Sequence, residues 1–450
     1  MALGYTMKID KMKYDVIVCG GGMSGAVAAI AAARSGAKTL LIEKQNCAGG
    51  VMTSGILSLL GPLDDGHQRV IRGIPEEIVG RMVDMGGAAP VKFGFIPINH
   101  ELLKLLLDRM FTEAGVNVLY HSLAVNVHKK DNAIDRLIIA NKRGIMECCA
   151  NILVDGTGDG DVAFKAGCKY TMGRKENGWI QPLTTVCRLG GVDPKVYKWA
   201  GNFKYSDAIK KALASGEMTI PADGIGAACF VPGMDGVLAV NMSHVYGVDP
   251  TSPEALSRAE MIGRQQVQEI VAFFRKYVAG CNQAFLLDTS ALIGIRESRR
   301  FIGEYVLTVK DVVSGRRFED AVAANAYHLD IHNEPDDKRL EEKKQGLGLG
   351  FPQQYYHKPY RCLLPKGADN LLLSGRCISV THEALSSTRI ASCCMAIGQA
   401  AGIAAALCAQ HDLYPRELKL DKLIRALRKN KVFLSADGSA MKSAGRTKSP

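Results

Sequence analysis

Two rhythms of apolar positions run along this chain, and the switches between them mark its elements. Tyr14 to Cys19 reads as an apolar strand that stops at three glycines, Gly20 to Gly22. An Ala-rich stretch from Ser24 to Arg34 suits a tightly packed helix, and Thr39 to Ile42 is a second apolar run. Strand, helix and strand in this order predict a βαβ unit on a buried parallel sheet. Helical spacing follows over 76–86 and 99–114, with Asn99 as N-cap and Glu101 in the first turn. Residues 116–154 alternate as NVLY, LAVNV, IDRLIIA and NILVDG, with turns at Lys130-Asp131-Asn132 and Lys142-Arg143-Gly144, which predicts an antiparallel meander.

Short strands and one long helix over 253–279 make up residues 184–350, a block that ends in the charged segment DDKRLEEKKQGLGLG. A strand at Leu371 to Ser374, the turn Gly375-Arg376 and a small-residue helix over about 389–408 complete the pattern. The predicted fold class is α/β: a Rossmann-like nucleotide-binding domain in two pieces, 12–183 (with a helical excursion over about 60–110) and 351–430. An α+β substrate or cap domain is inserted at 184–350, and 431–450 is a flexible tail.

Length changes this picture little, since 450 residues suit two domains. The net charge of +11 is partly local, with Lys8, Lys11 and Lys13 near the start and Lys442, Arg446 and Lys448 near the end. Such a balance fits a solvated basic surface or a taste for anionic ligands better than nucleic-acid binding. Thirteen cysteines, none in a Cys-x-x-Cys pair, point to reduced buried thiols and a cytoplasmic setting. The apolar stretch 390–409 is Ala- and Gly-rich, includes Gln399 and follows Arg389, so a buried helix is expected there and no membrane anchor.

The chemistry begins at Gly20-x-Gly22-x-x-Gly25, set between the first strand and helix. The first glycine permits the tight turn, the second a close approach to pyrophosphate, and the third close packing of helix on strand; the helix N-terminus favours the phosphates. Glu43 ends the second strand, where a carboxylate can accept the hydroxyl protons of an adenosine ribose. Further glycine-rich turns follow strands at Gly49-Gly50, in NILVDGTGDGD and in NLLLSGR. A bulky isoalloxazine needs walls from such distant segments, so the set favours FAD over NAD.

The segments YDVIVCGGGMSGAVAAIAAARSGAKTLLIEK, DGTGDGDVAFKAG, IGIRESRRFIGEYVLT and NLLLSGRCISVTHEALSSTRIASCCMAIGQAAGIAAAL resemble the FAD-dependent oxidoreductase family of bacteria and archaea. That family is distantly similar to fumarate reductase and succinate dehydrogenase flavoproteins and to the glutathione-reductase superfamily. The resemblance implies that Gly20, Gly22, Met23 and Ser24 line the pyrophosphate, Glu43 and Lys44 the adenosine ribose and adenine rim, and Gly50 and Met52 the flavin side of the pyrophosphate. It implies a backbone contact from Val125 to the adenine, closure of that end by Gly158 and Asp159, and ribityl and pyrophosphate contacts from Gly375 and Arg376. Gln399, Ala400 and Gly402 would let their helix approach the cofactor, and a helix N-terminus near the pyrimidine ring would stabilise the reduced flavin anion. Cys47 has no partner four positions on, as a disulfide reductase would need, and FAD is expected to be held without a covalent bond.

Hydride chemistry also needs a proton donor or acceptor and cations to hold an anionic substrate. Arg296, Glu297, Arg299 and Arg300 supply charge in one apolar stretch; His382, Glu383 and Arg389 follow the Gly375-Arg376 turn. His382 is the first choice for proton transfer, with Arg296, Arg299 and Tyr360 beside it and Arg361 as a further candidate. His328-x-Asp330-x-His332 alternates so that its side chains would share one face of a strand; it reads as a polar strand face or as part of a substrate pocket, and no metal is expected. The expected activity is hydride exchange between flavin N5 and a small polar or anionic molecule bound between the two domains. The electron partner and oligomeric state stay open. A tRNA-modifying flavoprotein and a non-catalytic flavin-binding assembly or sensor protein are the alternatives.

Overall fold

The computed structural model describes residues 11–199, 204–222, 224–332 and 354–435. Strand β1 (Lys11–Cys19), helix α1 (Met23–Arg34) and strand β2 (Thr39–Ile42) form the predicted unit, and β1 pairs with β2 in parallel from Val16–Thr39 to Cys19–Ile42. Asn117–Leu119 extends the sheet in parallel beyond β2, and Gly144–Asp155 lies in parallel on the other side of β1. Val16–Cys19 of β1 and all of β2 are buried on both faces, which is why they read as continuous apolar runs.

On the edge away from β1, the strand Gly144–Asp155 serves two partners in turn. Its first half pairs antiparallel with Ala133–Asn141, which pairs in turn with Leu123–Lys130, whereas its last three residues pair in parallel with Leu371–Leu373. Asn117–Leu119, expected in the meander, belongs instead to the parallel part of the sheet, because its ladder is with β2.

The long helix Ala391–Gln410 lies against α1 with almost no gap. A Cβ at Gly398 would come within 2.1 Å of the Ser24 carbonyl oxygen, and one at Gly402 within 2.1 Å of that of Ala28. It is the one helix among the described residues with the length and apolar composition to cross a bilayer, yet 89% of its 18-residue apolar window is buried inside the protein. Small residues here serve close helix packing.

A second sheet of four antiparallel strands follows the order Ala227–Phe230, Leu238–Asn241, Cys187–Gly190, Phe285–Thr289. The helix Pro253–Tyr277 accompanies it, and Val267, Ile270 and Phe274 share a separate core with Leu189, Leu238 and Val240. That core ends near Leu286. Phe301, Leu307, Val312 and Val322 pack instead into the first core. The described residues of the block 184–350 thus contribute to both cores. The charged segment and the tail beyond 435 lie outside the described residues.

Candidate functional site

The carboxyl ends of β1 and of the strands ending at Asp155 and Leu373 open on one large cavity of about 1210 Å³. That exceeds the roughly 300–1,000 Å³ of a site for one drug-sized molecule, so a dinucleotide and a second ligand both have room. Clefts at the carboxyl ends of parallel strands are the ordinary ligand sites of such sheets.

One end of the cavity is a glycine cradle. Gly20 has φ of +90°, and a Cβ there would lie 2.5 Å from the Gly156 oxygen. Gly25 packs so tightly that its Cβ would fall 1.8 Å from the Gly20 oxygen. Gly22 differs: a Cβ on it would meet nothing within 4 Å, and the residue lines the cavity. No side chain caps the first turn of α1, so its free N–H groups remain for an anion. Gly22 also bridges to Gly49, and the Gly49 N–H donates to the Gly21 carbonyl at 2.8 Å, which brings the second glycine pair alongside the first.

Glu43 ends β2 with its side chain almost fully buried; its two carboxylate oxygens accept from the backbone N–H groups of Gly21 and Gln45. A carboxylate so held keeps lone pairs for ribose hydroxyls. At the far side Arg376 donates from Nη2 to Asp159 Oδ1 and from Nη1 to Ser298 Oγ, each at 2.7 Å. Burial pushes the Asp159 carboxyl up, but Arg376 and Ser298 outweigh it and hold the group below the usual range. Ser24 Oγ donates to the Cys394 carbonyl at 2.8 Å and lies 2.7 Å from Ser374 Oγ, joining the two halves of the nucleotide domain beneath the cradle. Gly20, Gly22, Met23, Ser24, Glu43, Lys44, Gly49, Gly50, Gly158, Asp159, Gly375 and Arg376 all line the cavity.

Other expected contacts lie elsewhere. Met52 is fully buried behind the lining. Val125 is half-buried outside the cavity, at a register shift between Ala124 and Asn126 that takes its backbone out of the strand ladder. Gln399 bonds the Ile74 N–H at 3.0 Å and the Asn430 carbonyl at 2.8 Å, Ala400 is buried in the core, and Gly402 faces α1. The approach of this helix to the cavity is made by its N-terminal end, through Ile390, Ala391 and Cys394.

The wall opposite the cradle carries the charged side chains. Arg296 is buried, donating from Nη1 to the Pro182 carbonyl at 2.8 Å and to Thr184 Oγ1, and among the described residues no carboxylate forms an ion pair with it. Burial, and then the neighbouring Arg389, lower its pKa to about 10. Arg389 donates from Nη2 to Asp330 Oδ2 at 3.0 Å and to the Asp330 carbonyl at 2.9 Å. Tyr327, His328, Asp330 and His332 join this wall, on extended chain rather than on the strand that their alternation suggested; the strand stops at Asn325. Among the described residues no three His, Cys, Asp or Glu side chains are grouped to hold a metal ion.

Of the four catalytic candidates only Arg296 lines the cavity. His382 turns inward, its Nδ1 2.9 Å from Glu297 Oε1, and Glu297 also accepts from Arg300 and from the Gln181 N–H. Arg299 pairs with Asp161 at 3.0 Å and sits over the Phe164 ring, 4.2 Å from its centre. Tyr360 is buried with its hydroxyl on the Pro415 carbonyl at 3.1 Å, and Arg361 pairs with Asp320. His382, Arg299 and Tyr360 are buried, whereas Arg361 is exposed. Thr184, which holds Arg296, went unmarked in the sequence because it stands singly with no spacing to single it out.

A parallel sheet feeding a glycine cradle, an acid at the end of its second strand, and a nucleotide domain rejoined after an insertion define a dinucleotide-binding enzyme of the flavoprotein type. Residues 15–428 match the family described as FAD-dependent oxidoreductases, and the chain belongs to that family. FAD is accordingly its cofactor, and the cradle fits it: open space above Gly22, uncapped amides and a carboxylate at the ribose position.

A digeranylgeranylglycerophospholipid reductase of Methanothermobacter thermautotrophicus is 34% identical over 168 residues, 35% of this chain and 42% of that protein. The match thus spans less than half the length of that relative. A geranylgeranyl bacteriochlorophyll reductase-like protein from Thermoplasma acidophilum aligns over 94% of this chain and 83% of its own, at 15% identity and a TM-score of 0.46. The myxobacterial chondrochloren halogenase aligns over 93% and 79%, at 13% identity and a TM-score of 0.44.

Proposed function

We propose that this enzyme exchanges a hydride between flavin N5 and a small organic anion held between the cradle and the Arg296 wall. The observation that supports this reading is the Arg296 guanidinium: a buried cation in a cavity wall with no ion-pair partner among the described residues. An unpaired buried charge is costly, and a substrate carboxylate or similar anion would offset that cost. Bound FAD supplies the hydride acceptor or donor. The chain binds and orients: Arg296 grips the anion, its Nη1 held by Pro182 and Thr184, while Arg389 adds positive charge tempered by Asp330. Ile293, Ile295 and Val186 line the same region and exclude water from it.

Anaerobic mixing of the purified enzyme with paired compounds tests this. Hydroxy and amino acids that bleach the flavin, where their amides and esters do so at least tenfold more slowly, are expected. Bleaching by neutral compounds alone would overturn the anionic substrate.

A further inference from the structure

Behind the Arg296 wall two histidines are joined in a chain whose proton positions follow from one carbonyl. His244 Nδ1 lies 3.0 Å from the Met242 carbonyl oxygen, which can only accept, so Nδ1 carries the hydrogen. His244 is buried, and burial followed by Arg296 brings its pKa to about 3, so the ring is neutral and Nε2 is bare. Nε2 lies 3.1 Å from His332 Nδ1, which must then be the donor. Burial, Arg296, His244 and Arg389 keep His332 neutral too, its pKa well below the ordinary value. The lone pair of His332 is thereby fixed on Nε2, on a side chain that lines the cavity and keeps 23% of its surface.

We propose that His332 Nε2 is the proton acceptor of the reaction cavity and that His244 is a positioning residue that locks it in the Nδ1–H tautomer. The assignment rests on the hydride reading above. When a substrate alcohol is oxidised, its C–H bond breaks with the electron pair leaving as hydride to oxidised FAD. Its O–H bond breaks with the proton passing to His332 Nε2, and C=O forms; an amine reacts alike through N–H. Among the described residues, Arg296, Arg389, His244 and Asp330 are the charged or titratable groups that face His332. Arg296 and Arg389 keep it neutral at rest, and His244 fixes its tautomer. Asp330, with Oδ1 at 3.5 Å from Nε2, stabilises the imidazolium once formed. Tyr246 stacks on His244 with ring centres 5.9 Å apart and fixes its plane.

Diethyl pyrocarbonate, which acylates bare imidazole nitrogens, reads the lock without a substrate. The holoenzyme is treated between pH 7.5 and 5.5 and each histidine is followed by peptide mass mapping. The exposed His67 and His411 report that the reagent reaches the protein, and N-acetylhistidine in the same mixture should slow about tenfold over that range, as a free imidazole does. His332 should react at a nearly constant rate. In His244→Phe the lock is gone, Nε2–H turns to Asp330, and acylation of His332 should fall roughly three- to tenfold, the preference one ordinary hydrogen bond supplies. His244→Gln, whose amide oxygen can accept from His332, should restore it.

Lack of reaction at His332 while His67 reacts, an ordinary pH profile at His332, or an unchanged rate in His244→Phe would each overturn the proposal. If His244→Phe loses its flavin, ¹⁵N spectra of histidine-labelled wild-type enzyme decide: a bare Nε2 on His332 at pH 6 supports the lock, and Nε2–H contradicts it. A flavin that no anionic donor bleaches would defeat the hydride reading and leave this profile untouched.

Discussion

Glycines and backbone amides make the cradle that runs from Gly20 to Arg376, whereas the wall facing it is made of ring and charged side chains from segments far apart in the chain. At two of its turns the cradle tolerates no added atom: Gly20 and Gly25 each meet a neighbouring backbone oxygen closer than a Cβ allows. The wall is held by side-chain bonds such as Arg296 to Thr184 and His332 to His244. A backbone-built site fixes a cofactor common to many chemistries, and a site built of side chains can change its substrate by substitution.

The comparison breaks first at Gly25. Gly25→Ala places a carbon inside the Gly20 carbonyl and should cost about 3 kcal/mol or more, with loss of flavin from the purified protein; a yellow protein of unchanged melting temperature would contradict the packing. Next is Glu43→Ala. It removes the acceptor of two backbone N–H groups and of the ribose, and FAD affinity, measured by flavin fluorescence on titration, should fall roughly ten- to a hundredfold. No comparable loss of FAD is expected from His332→Asn, since His332 belongs to the wall.

Smallest near neutral pH, and growing only as the pH falls, is an acid sensitivity shared by both regions. His100 and His357 in the nucleotide domain are brought to about 4 and His244 beside the wall to about 3, in each case first by burial. A folded pKa below the unfolded 6.5 means that the unfolded chain takes up the proton first. Stability is therefore full above pH 6.5 and drains as pH falls toward 4, by about 1.4 kcal/mol per pH unit for each histidine. Urea midpoints at pH 7.5, 6 and 5 should show the decline, and His244→Gln should make it shallower.

The cradle's pattern was legible in the sequence because its physics is local: an apolar strand, a turn only glycine can make and an acid just after the next strand all lie between Tyr14 and Glu43. Strand partners were less so. Alternation alone does not tell parallel from antiparallel, and Asn117–Leu119 went to β2. Apolarity does not name its partner either: Phe301, Leu307, Val312 and Val322 pack into the first core, and Val267, Ile270 and Phe274 into the second. His382 was favoured for its nearness in sequence to the Gly375 turn, yet its helix directs it to Glu297. The wall was hardest to read: Thr184, Arg296, His332 and Arg389 meet only through the fold, and His244 supports them from a segment with no signature.

The most direct test of the account is the flavin absorbance of wild-type and Arg296→Met enzymes titrated with small carboxylates. Both should carry flavin, since Arg296 belongs to the wall. Carboxylates should perturb the flavin bands of the wild type, and the substitution should weaken that binding roughly ten- to a hundredfold, the worth of a charge-assisted contact. Equal binding by the two proteins would contradict the claim that a buried cation across from the cradle selects the substrate.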